Sequence, residues 1–306
     1  DLMNQHSLIS IPRIETVLFP YLVNKYGLQF DLNKKENFEV VKSEIERSTF
    51  YQNFLKHGQL MDLNTITQEA DKITWACLFE ELLKFYGPKE YNKELIIGDK
   101  TPGYIDHTDL LLNIWPEAKL IHNVRDPRDY LCSVNQVWNK NIYRASNRWI
   151  QTIMNLEKRQ RLNAQNMHTV YYEHLLEQPV ETLTSICQYI GIEFEDSMLT
   201  LEESSELFGD AKGSTAIVRS NQQKYKQKLS KKQIYKIEQL VCPGARAHGY
   251  QLDNPQVKLK KLSRLALLRH KYMDGLNALK FHIRNKGLLD GSKYFFKLNQ
   301  TNIKSS

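Results

Sequence analysis

Short apolar runs alternate along this chain with longer stretches of helical periodicity. Leu95–Gly98, Lys119–Val124 and Thr169–Tyr172 are β-rich, are closed by turn or charged residues, and predict strands. Apolar spacing predicts helices at Ile105–Ile114, Pro127–Trp138 and Arg144–Asn163 between them. Further helices are predicted at Thr67–Tyr86, ended by Gly87-Pro88, at Pro179–Ile190, ended by Gly191, and at Lys231–Val241. The last opens on Ser230 with Gln233 three residues on, the spacing of a capping box. Helices and strands in this order predict an α/β fold with a parallel sheet. Glu203–Gln227 is polar, contains Gly209 and Gly213, and reads as a long loop of the kind that often carries function.

The 306 residues leave room for one large domain or two small ones. With 41% hydrophobic and 25% charged residues the composition is that of a soluble globular protein, and no apolar run approaches the roughly 18–20 residues of a membrane span. The start, Asp1-Leu2-Met3-Asn4, shows no basic stretch followed by an apolar one, so a cytoplasmic protein is expected. It also lacks an initiator Met, which predicts a trimmed start that can have removed an anchor. Four cysteines, Cys77, Cys132, Cys187 and Cys242, have neither CxxC nor zinc-site spacing. Reduced, mostly buried thiols and no metal site are expected.

Dividing the net charge of +7 changes the picture. Pro255 to Ser306 holds 12 Lys/Arg against 2 Asp/Glu, a net of +10, leaving 30 basic and 33 acidic residues, a net of −3, elsewhere. Within that tail, Lys258–His270 sets Leu259, Leu262, Leu265 and Ala266 at helical spacing among basic residues. It reads either as a basic amphipathic helix for an anionic membrane, a polyanion or an acidic partner, or as a packed helix with a solvated basic face. Aromatic residues interleave with basic ones at Tyr294–Lys297, but no nucleic-acid motif accompanies them and no nucleic-acid partner is expected.

Candidate chemistry concentrates in Leu120–Ser133. A strand ends at Val124 and a helix starts within two residues, with Asp126 suited to the N-cap and Pro127 to the first turn. Arg125 is then held at the carboxyl edge of a parallel strand beside free backbone N–H groups, where open α/β sheets bind ligands and helix N-termini favour phosphate. Ser133, eight residues on, shares that helix face, and the two can hold one terminal phosphate. Alternatively Arg125 pairs with Asp126 or Asp129, and Ser133 packs in the helix. Gly98-Asp-Lys-Thr-Pro102 places Lys100 at the same edge if the strands share one sheet. A lysine there suits a developing charge on a leaving phosphate oxygen, or is a solvated turn residue. Glu15, in the mostly apolar run Ile9-Ser-Ile-Pro-Arg-Ile-Glu-Thr16, is a general-base candidate if apolar surroundings raise its pKa, and otherwise a cap or a partner of Arg13.

Taken together, Asp99-Lys-Thr-Pro-Gly-Tyr-Ile and Trp115-Pro-Glu-Ala-Lys-Leu-Ile-His-Asn-Val-Arg-Asp-Pro-Arg-Asp resemble the lysine turn and the 3′-phosphate segment of the sulfotransferases that use 3′-phosphoadenosine-5′-phosphosulfate (PAPS). The resemblance runs from about Asn4 to Tyr250. It implies a three-layer P-loop-like fold with a central parallel sheet flanked by helices, in a domain over 1–252 followed by a basic helical extension over 253–306. It implies that Arg125 and Ser133 bind the donor's 3′-phosphate, that Lys100 steadies the reacting groups, and that Glu15 takes the acceptor's proton. Val170-Tyr-Tyr-Glu-His-Leu-Leu176 resembles the segment whose tyrosine, here Tyr172, lies against the adenine. Lys224-Tyr225 resembles part of the loop that closes over the nucleotide, making Lys224, with Arg219 nearby, a candidate phosphate contact; alternatively Tyr172 is a core tyrosine and Lys224 belongs to a solvated lysine-rich stretch. In the family a strand and a Gly/Ser/Thr-rich phosphate loop precede the segment resembling Leu2–Ser7. The present sequence starts after them, which reads either as a truncated start or as loss of the loop, and weak or no activity is expected of it.

The resemblance implies transfer of a sulfuryl group from PAPS to a hydroxyl, without a metal. A carbohydrate or glycolipid acceptor stands first and a protein tyrosine second, because Pro12-Arg-Ile-Glu-Thr16 resembles the protein-tyrosine branch. The alternative from another class is a non-catalytic binding protein that keeps the fold and docks a polyanion or an anionic membrane through its tail. A nucleotide kinase is disfavoured by the lack of a Walker A pattern.

Overall fold

The computed structural model describes residues 1–66, 72–160, 164–204 and 212–293. Within these the chain divides into two compact units, Asp1–Leu120 with Cys187–Glu202, and Ile121–Ile186 with Glu203–Ser306. The fold is α/β and mostly helical, with four short strands among the described residues that form two ladders.

In the first unit β1 (Ile9–Ser10) pairs in parallel with β2 (Ile96–Ile97), Ile9 opposite Ile96 and Ser10 opposite Ile97. Lys89 holds the approach to β1, its Nζ donating to the carbonyls of Asn4 and His6 at 2.7 Å each and to that of Ile9. Four helices build the core beside the ladder: α1 (Leu18–Tyr26), α2 (Lys35–Arg47), α3 (Thr49–Lys56) and α4 (Trp75–Tyr86). Phe19 of α1 stacks on Phe79 of α4 at 3.9 Å between ring centroids, and Trp75 lies 5.5 Å from Phe79. α4 starts later than its apolar spacing predicts, because the Thr74 side chain accepts from Cys77 N–H and fixes the first turn there. The predicted start of this helix, 67–71, lies outside the described residues. α5 (Thr108–Ile114) follows β2 after a 3-10 turn at Pro102–Asp106.

Across the second unit run β3 (Leu120–Val124), α6 (Pro127–Trp138), α7 (Ile142–Gln160), β4 (Met167–Tyr171), α8 (Tyr172–Glu177) and α9 (Pro179–Ile190), with β3 and α9 crossing the division between units. α10 (Tyr225–Lys228), α11 (Lys231–Ala247) and α12 (Arg264–Lys286) complete it. β3 pairs with β4, so β2 and β3 do not share a ladder among the described residues. β3 is also less buried than a fully covered parallel strand: only Val124 is buried, while Ile121 and Asn123 are exposed. Leu131, Ile142, Ile237 and Val241 form the core between α6, α7 and α11. Gly244 lets α11 approach α7 closely, since a Cβ there would stand 2.8 Å from Ile150 Cδ1 and 3.0 Å from Trp149.

Ser230 and Gln233 form the predicted capping box, and α11 continues past Val241 in spite of Pro243. Proline offers no N–H to the carbonyl four residues back. That carbonyl, on Gln239, instead accepts from Lys260 N–H at 2.8 Å, which ties down the start of the tail. Helical geometry therefore begins only at Arg264, not at Lys258, and Leu262 packs against the core instead of joining an amphipathic stripe. The aromatic residues at 294–297 and the loop residues 205–211 lie outside the described residues, as do 161–163 beyond α7. The four thiols are unbridged, three of them buried and Cys77 half-buried. Burial raises their pKa values, that of Cys132 to about 11. No described helix is long and apolar enough to cross a membrane.

Candidate functional site

Because β1 and β2 are parallel, the segments that leave their carboxyl ends emerge from one edge of the ladder. One carries Glu15 and the other Lys100. Lys100 Nζ donates to Glu15 Oε1 at 3.2 Å, in a pair 54% and 45% exposed respectively. The apolar shelter that the neighbours of Glu15 suggest is absent: Ile14 turns into the core and leaves the carboxylate at the surface, paired with Lys100.

Beneath this pair lies a hydroxyl-rich network that sequence spacing does not reveal. Thr16 Oγ1 hydrogen-bonds Asp99 Oδ2 and the Tyr104 hydroxyl, and Thr16 N–H donates to Thr101 Oγ1 at 3.1 Å. Thr101 Oγ1 in turn donates to Asp99 Oδ1 at 2.9 Å. Burial raises the Asp99 pKa, although the hydroxyl donors oppose it, and burial with Asp99 nearby pushes the Tyr104 phenol far above its ordinary range.

In the second unit the strand-to-helix turn forms as predicted: Asp126 caps α6, its Oδ1 accepting from Arg128 N–H at 2.8 Å, and Pro127 opens the helix. Arg125 pairs with neither Asp126 nor Asp129. Its guanidinium lies over the Tyr172 ring, 4.4 Å from the centroid, and Nη2 donates to the Asn221 carbonyl at 2.8 Å. Asn221 Nδ2 donates to the Tyr172 hydroxyl at 2.9 Å and closes the triangle. Arg125 Nε is buried and has no hydrogen-bond partner among the described residues.

Asp129 has a different task. Its carboxylate accepts from the backbone N–H groups of Gln223 and Tyr225, the latter at 3.0 Å, and so anchors the turn that carries Lys224 into α10. Gln223 adopts a left-handed backbone in that turn. Arg125 precedes α6, so its eight-residue spacing from Ser133 does not give the two a common helix face. Ser133, half-buried, shares its face with Asp129, four residues back. Two backbone N–H groups read as free are occupied: Arg128 N–H by the cap, and Asp126 N–H by Glu173 Oε1 at 2.9 Å. The exposed Arg219 stays at the surface of the same loop.

Under the turn lies an ion cluster built on the buried Arg128. Arg128 contacts Asp126 Oδ2 at 2.7 Å, Glu238 Oε1 at 2.9 Å and Asp253 Oδ1 at 3.2 Å, and it stacks on Tyr225 at 4.2 Å. Burial alone would disfavour the charged guanidinium, but Asp126 and Glu238 more than offset this and raise its pKa. Among the described residues no group of three or more His, Cys, Asp or Glu side chains is arranged to hold a metal ion.

The sulfotransferase family model matches residues 1–196, more than half of the chain. The chain belongs to the sulfotransferase family. The sulfotransferase domain from the curacin biosynthetic pathway has the same fold, at a TM-score of 0.51 and 18% identity over 82% of this chain and 92% of that one. The sulfotransferase domain of the Synechococcus PCC 7002 olefin synthase matches at a TM-score of 0.48 and 20% identity, over 82% and 89% of the two chains. Among curated proteins, none matches this sulfotransferase. Its family and fold agree with the expected α/β architecture and point to sulfuryl transfer to an acceptor, in a family that generally uses PAPS.

Proposed function

We propose that this sulfotransferase moves a sulfuryl group from PAPS to an acceptor hydroxyl, with its catalytic part in residues 1–252 and residues 253–306 as a basic extension. Bound PAPS supplies the sulfuryl group and a phosphate leaving group. The observation that carries the reading is the buried, unpartnered Nε of Arg125, whose guanidinium is already fixed by Tyr172 and Asn221. Leaving such a donor unmet costs about 1–3 kcal/mol, and a phosphate oxygen meets it with a charge-assisted hydrogen bond.

In this reading Arg125 and Ser133 bind the 3′-phosphate, Tyr172 contacts the adenine, and Lys224 contacts a phosphate. Glu15 takes the proton of the acceptor hydroxyl, and Lys100 steadies the charge that develops on the departing phosphate oxygen. Their 3.2 Å separation supports this, because a proton acceptor and a cation stand within one hydrogen bond of each other. The exposure of the pair supports a polar acceptor that keeps contact with water, a carbohydrate or glycolipid hydroxyl.

The test is calorimetric titration with 3′-phosphoadenosine-5′-phosphate and with adenosine 5′-phosphate. Preference for the 3′-phosphorylated nucleotide by about tenfold or more, lost in Arg125→Ala, is expected. No binding, equal binding, or a preference that survives Arg125→Ala overturns the assignment. Glu15→Gln is expected to abolish transfer and keep nucleotide binding. Transfer at the unmodified rate removes Glu15 from the mechanism.

A further inference from the structure

Among the described residues one face of α12 docks on its own unit, and the opposite face carries exposed apolar side chains. Its inner face docks on the loop between α6 and α7 and on the start of α7. Asp274 pairs with Arg144 at 2.7 Å and accepts from Asn141 N–H, and Asn277 Nδ2 donates to the Asn139 carbonyl at 2.9 Å. Phe281 lies 6.2 Å from Trp138, ring to ring. These contacts fix the rotation of the helix.

Nine residues, two and a half turns, separate Leu265 from Asp274, so Leu265 points the opposite way. Leu265, Leu268, Tyr272 and Leu276 follow one another at intervals of three, four and four residues and form a single outward stripe. They are 78%, 64%, 69% and 41% exposed. A run of large apolar side chains left in water on one helix face marks an interaction surface.

The rim of this stripe selects the partner. Helical geometry sets Arg269 and Lys280 along one border and Arg264 and Lys271 along the other, and all four are exposed. The one acidic residue of α12, Asp274, is turned inward and paired. A second copy of the helix would bring cationic rims together with no carboxylate between them. A soluble polyanion would satisfy the rims and leave the stripe in water. An anionic bilayer satisfies both, since apolar side chains enter the acyl boundary while lysine and arginine reach back to the headgroups.

We propose that α12 docks this protein on the surface of an anionic lipid bilayer through Leu265, Leu268, Tyr272 and Leu276. The proposal is independent of the nucleotide assignment, because it concerns a helix face that carries none of the residues assigned to transfer.

The experiment is co-sedimentation of the full chain with vesicles of phosphatidylcholine alone and of phosphatidylcholine mixed with phosphatidylserine. Binding to the mixed vesicles at least about tenfold stronger, and weakened by salt, is expected. Leu268→Ser with Tyr272→Ser should reduce that binding about tenfold or more with the thermal midpoint unchanged. Arg269→Gln with Lys280→Gln should remove most of the lipid preference. Equal binding to both vesicles, no binding, or binding indifferent to the Leu268/Tyr272 change overturns the proposal. So does a dimer in solution that the same double substitution dissolves, which would make a second copy the occupant, or a preference for heparin over the mixed vesicles that this substitution leaves intact.

Discussion

The backbone N–H of Asp126 donates to Glu173 Oε1 at 2.9 Å, and the residues immediately before these two, Arg125 and Tyr172, stack on each other. The first unit repeats the device. Thr16 hydrogen-bonds Asp99, and the neighbours of that pair, Glu15 and Lys100, form the surface ion pair. In each unit a less exposed polar contact, one residue away along both chain segments, fixes the register in which two candidate site residues meet. Side chains held this way lose little further freedom when a ligand arrives.

Removing the acceptor at Glu173 therefore loosens Arg125 without touching it. Glu173→Ala leaves Asp126 N–H and the Tyr250 hydroxyl without their carboxylate partner. A stability loss of about 1–3 kcal/mol and a roughly tenfold weaker affinity for 3′-phosphoadenosine-5′-phosphate are expected. Glu173→Gln keeps a carbonyl oxygen for Asp126 N–H and should recover most of the affinity. Calorimetric titration of the two variants decides it: equal affinities would show that the Asp126 contact does not position Arg125.

In the first unit Thr16→Val conserves shape but removes the hydroxyl that binds Asp99 and Tyr104. Valine leaves a buried carboxylate with one donor fewer, a cost of about 1–3 kcal/mol. Transfer should slow because Glu15 and Lys100 lose their common register, while nucleotide affinity stays as it was. Parallel measurement of transfer rate and nucleotide affinity checks this. A loss of affinity with an unchanged rate would contradict the division of labour between the two pairs.

How far the sequence could be read follows from the range of the forces involved. The turn from Val124 into α6 was legible because capping is local, and Asp126 and Pro127 stand where a helix start needs them. The same holds for Ser230 and Gln233. The surroundings of Glu15 were not legible, since Ile14 turns inward and Glu15 outward, a choice made by a core assembled from α1 to α4. Asn221 gave no signal: it matters because its loop, 96 residues from Arg125 and 49 from Tyr172 in sequence, passes both. The start of α12 was misread because its apolar spacing continues upstream, whereas Lys260 N–H answers the carbonyl that Pro243 leaves open.

Arg128 makes a sharper case for stability. Its charge balances the buried Asp126 and Glu238 and the exposed Asp253, and Glu238 also accepts from Asp253 N–H and Asn254 N–H. Arg128→Met fills a similar volume but strands at least two buried carboxylates. Breaking one side of such a cluster costs about 3–5 kcal/mol. Denaturant unfolding should register a loss of that order. A loss below about 1 kcal/mol would mean that water or neighbouring groups already screen the cluster.

A half-buried histidine pair makes stability depend on pH. His122, three residues before Arg125 on β3, faces His248 at 6.3 Å between ring centroids, and its Nδ1 is buried without a hydrogen-bond partner among the described residues. His248 is flanked by the Tyr171 hydroxyl at 3.3 Å and by Glu157 at 3.9 Å. Burial, with His248 nearby, lowers the His122 pKa to about 4, and burial also lowers that of His248. A histidine kept neutral in the folded state binds its proton in the unfolded chain first, near pH 6.5. The stability it contributes is present above that value and is lost as the pH falls toward 4. For His122 the loss between pH 7 and pH 5 comes to about 2 kcal/mol. His122→Asn, which does not titrate, should remove that share of the pH dependence, so urea unfolding at the two pH values should show a smaller difference in the variant than in the unmodified protein. If the differences match, the proton is taken up elsewhere, and His248 with Glu157 becomes the pair that senses it.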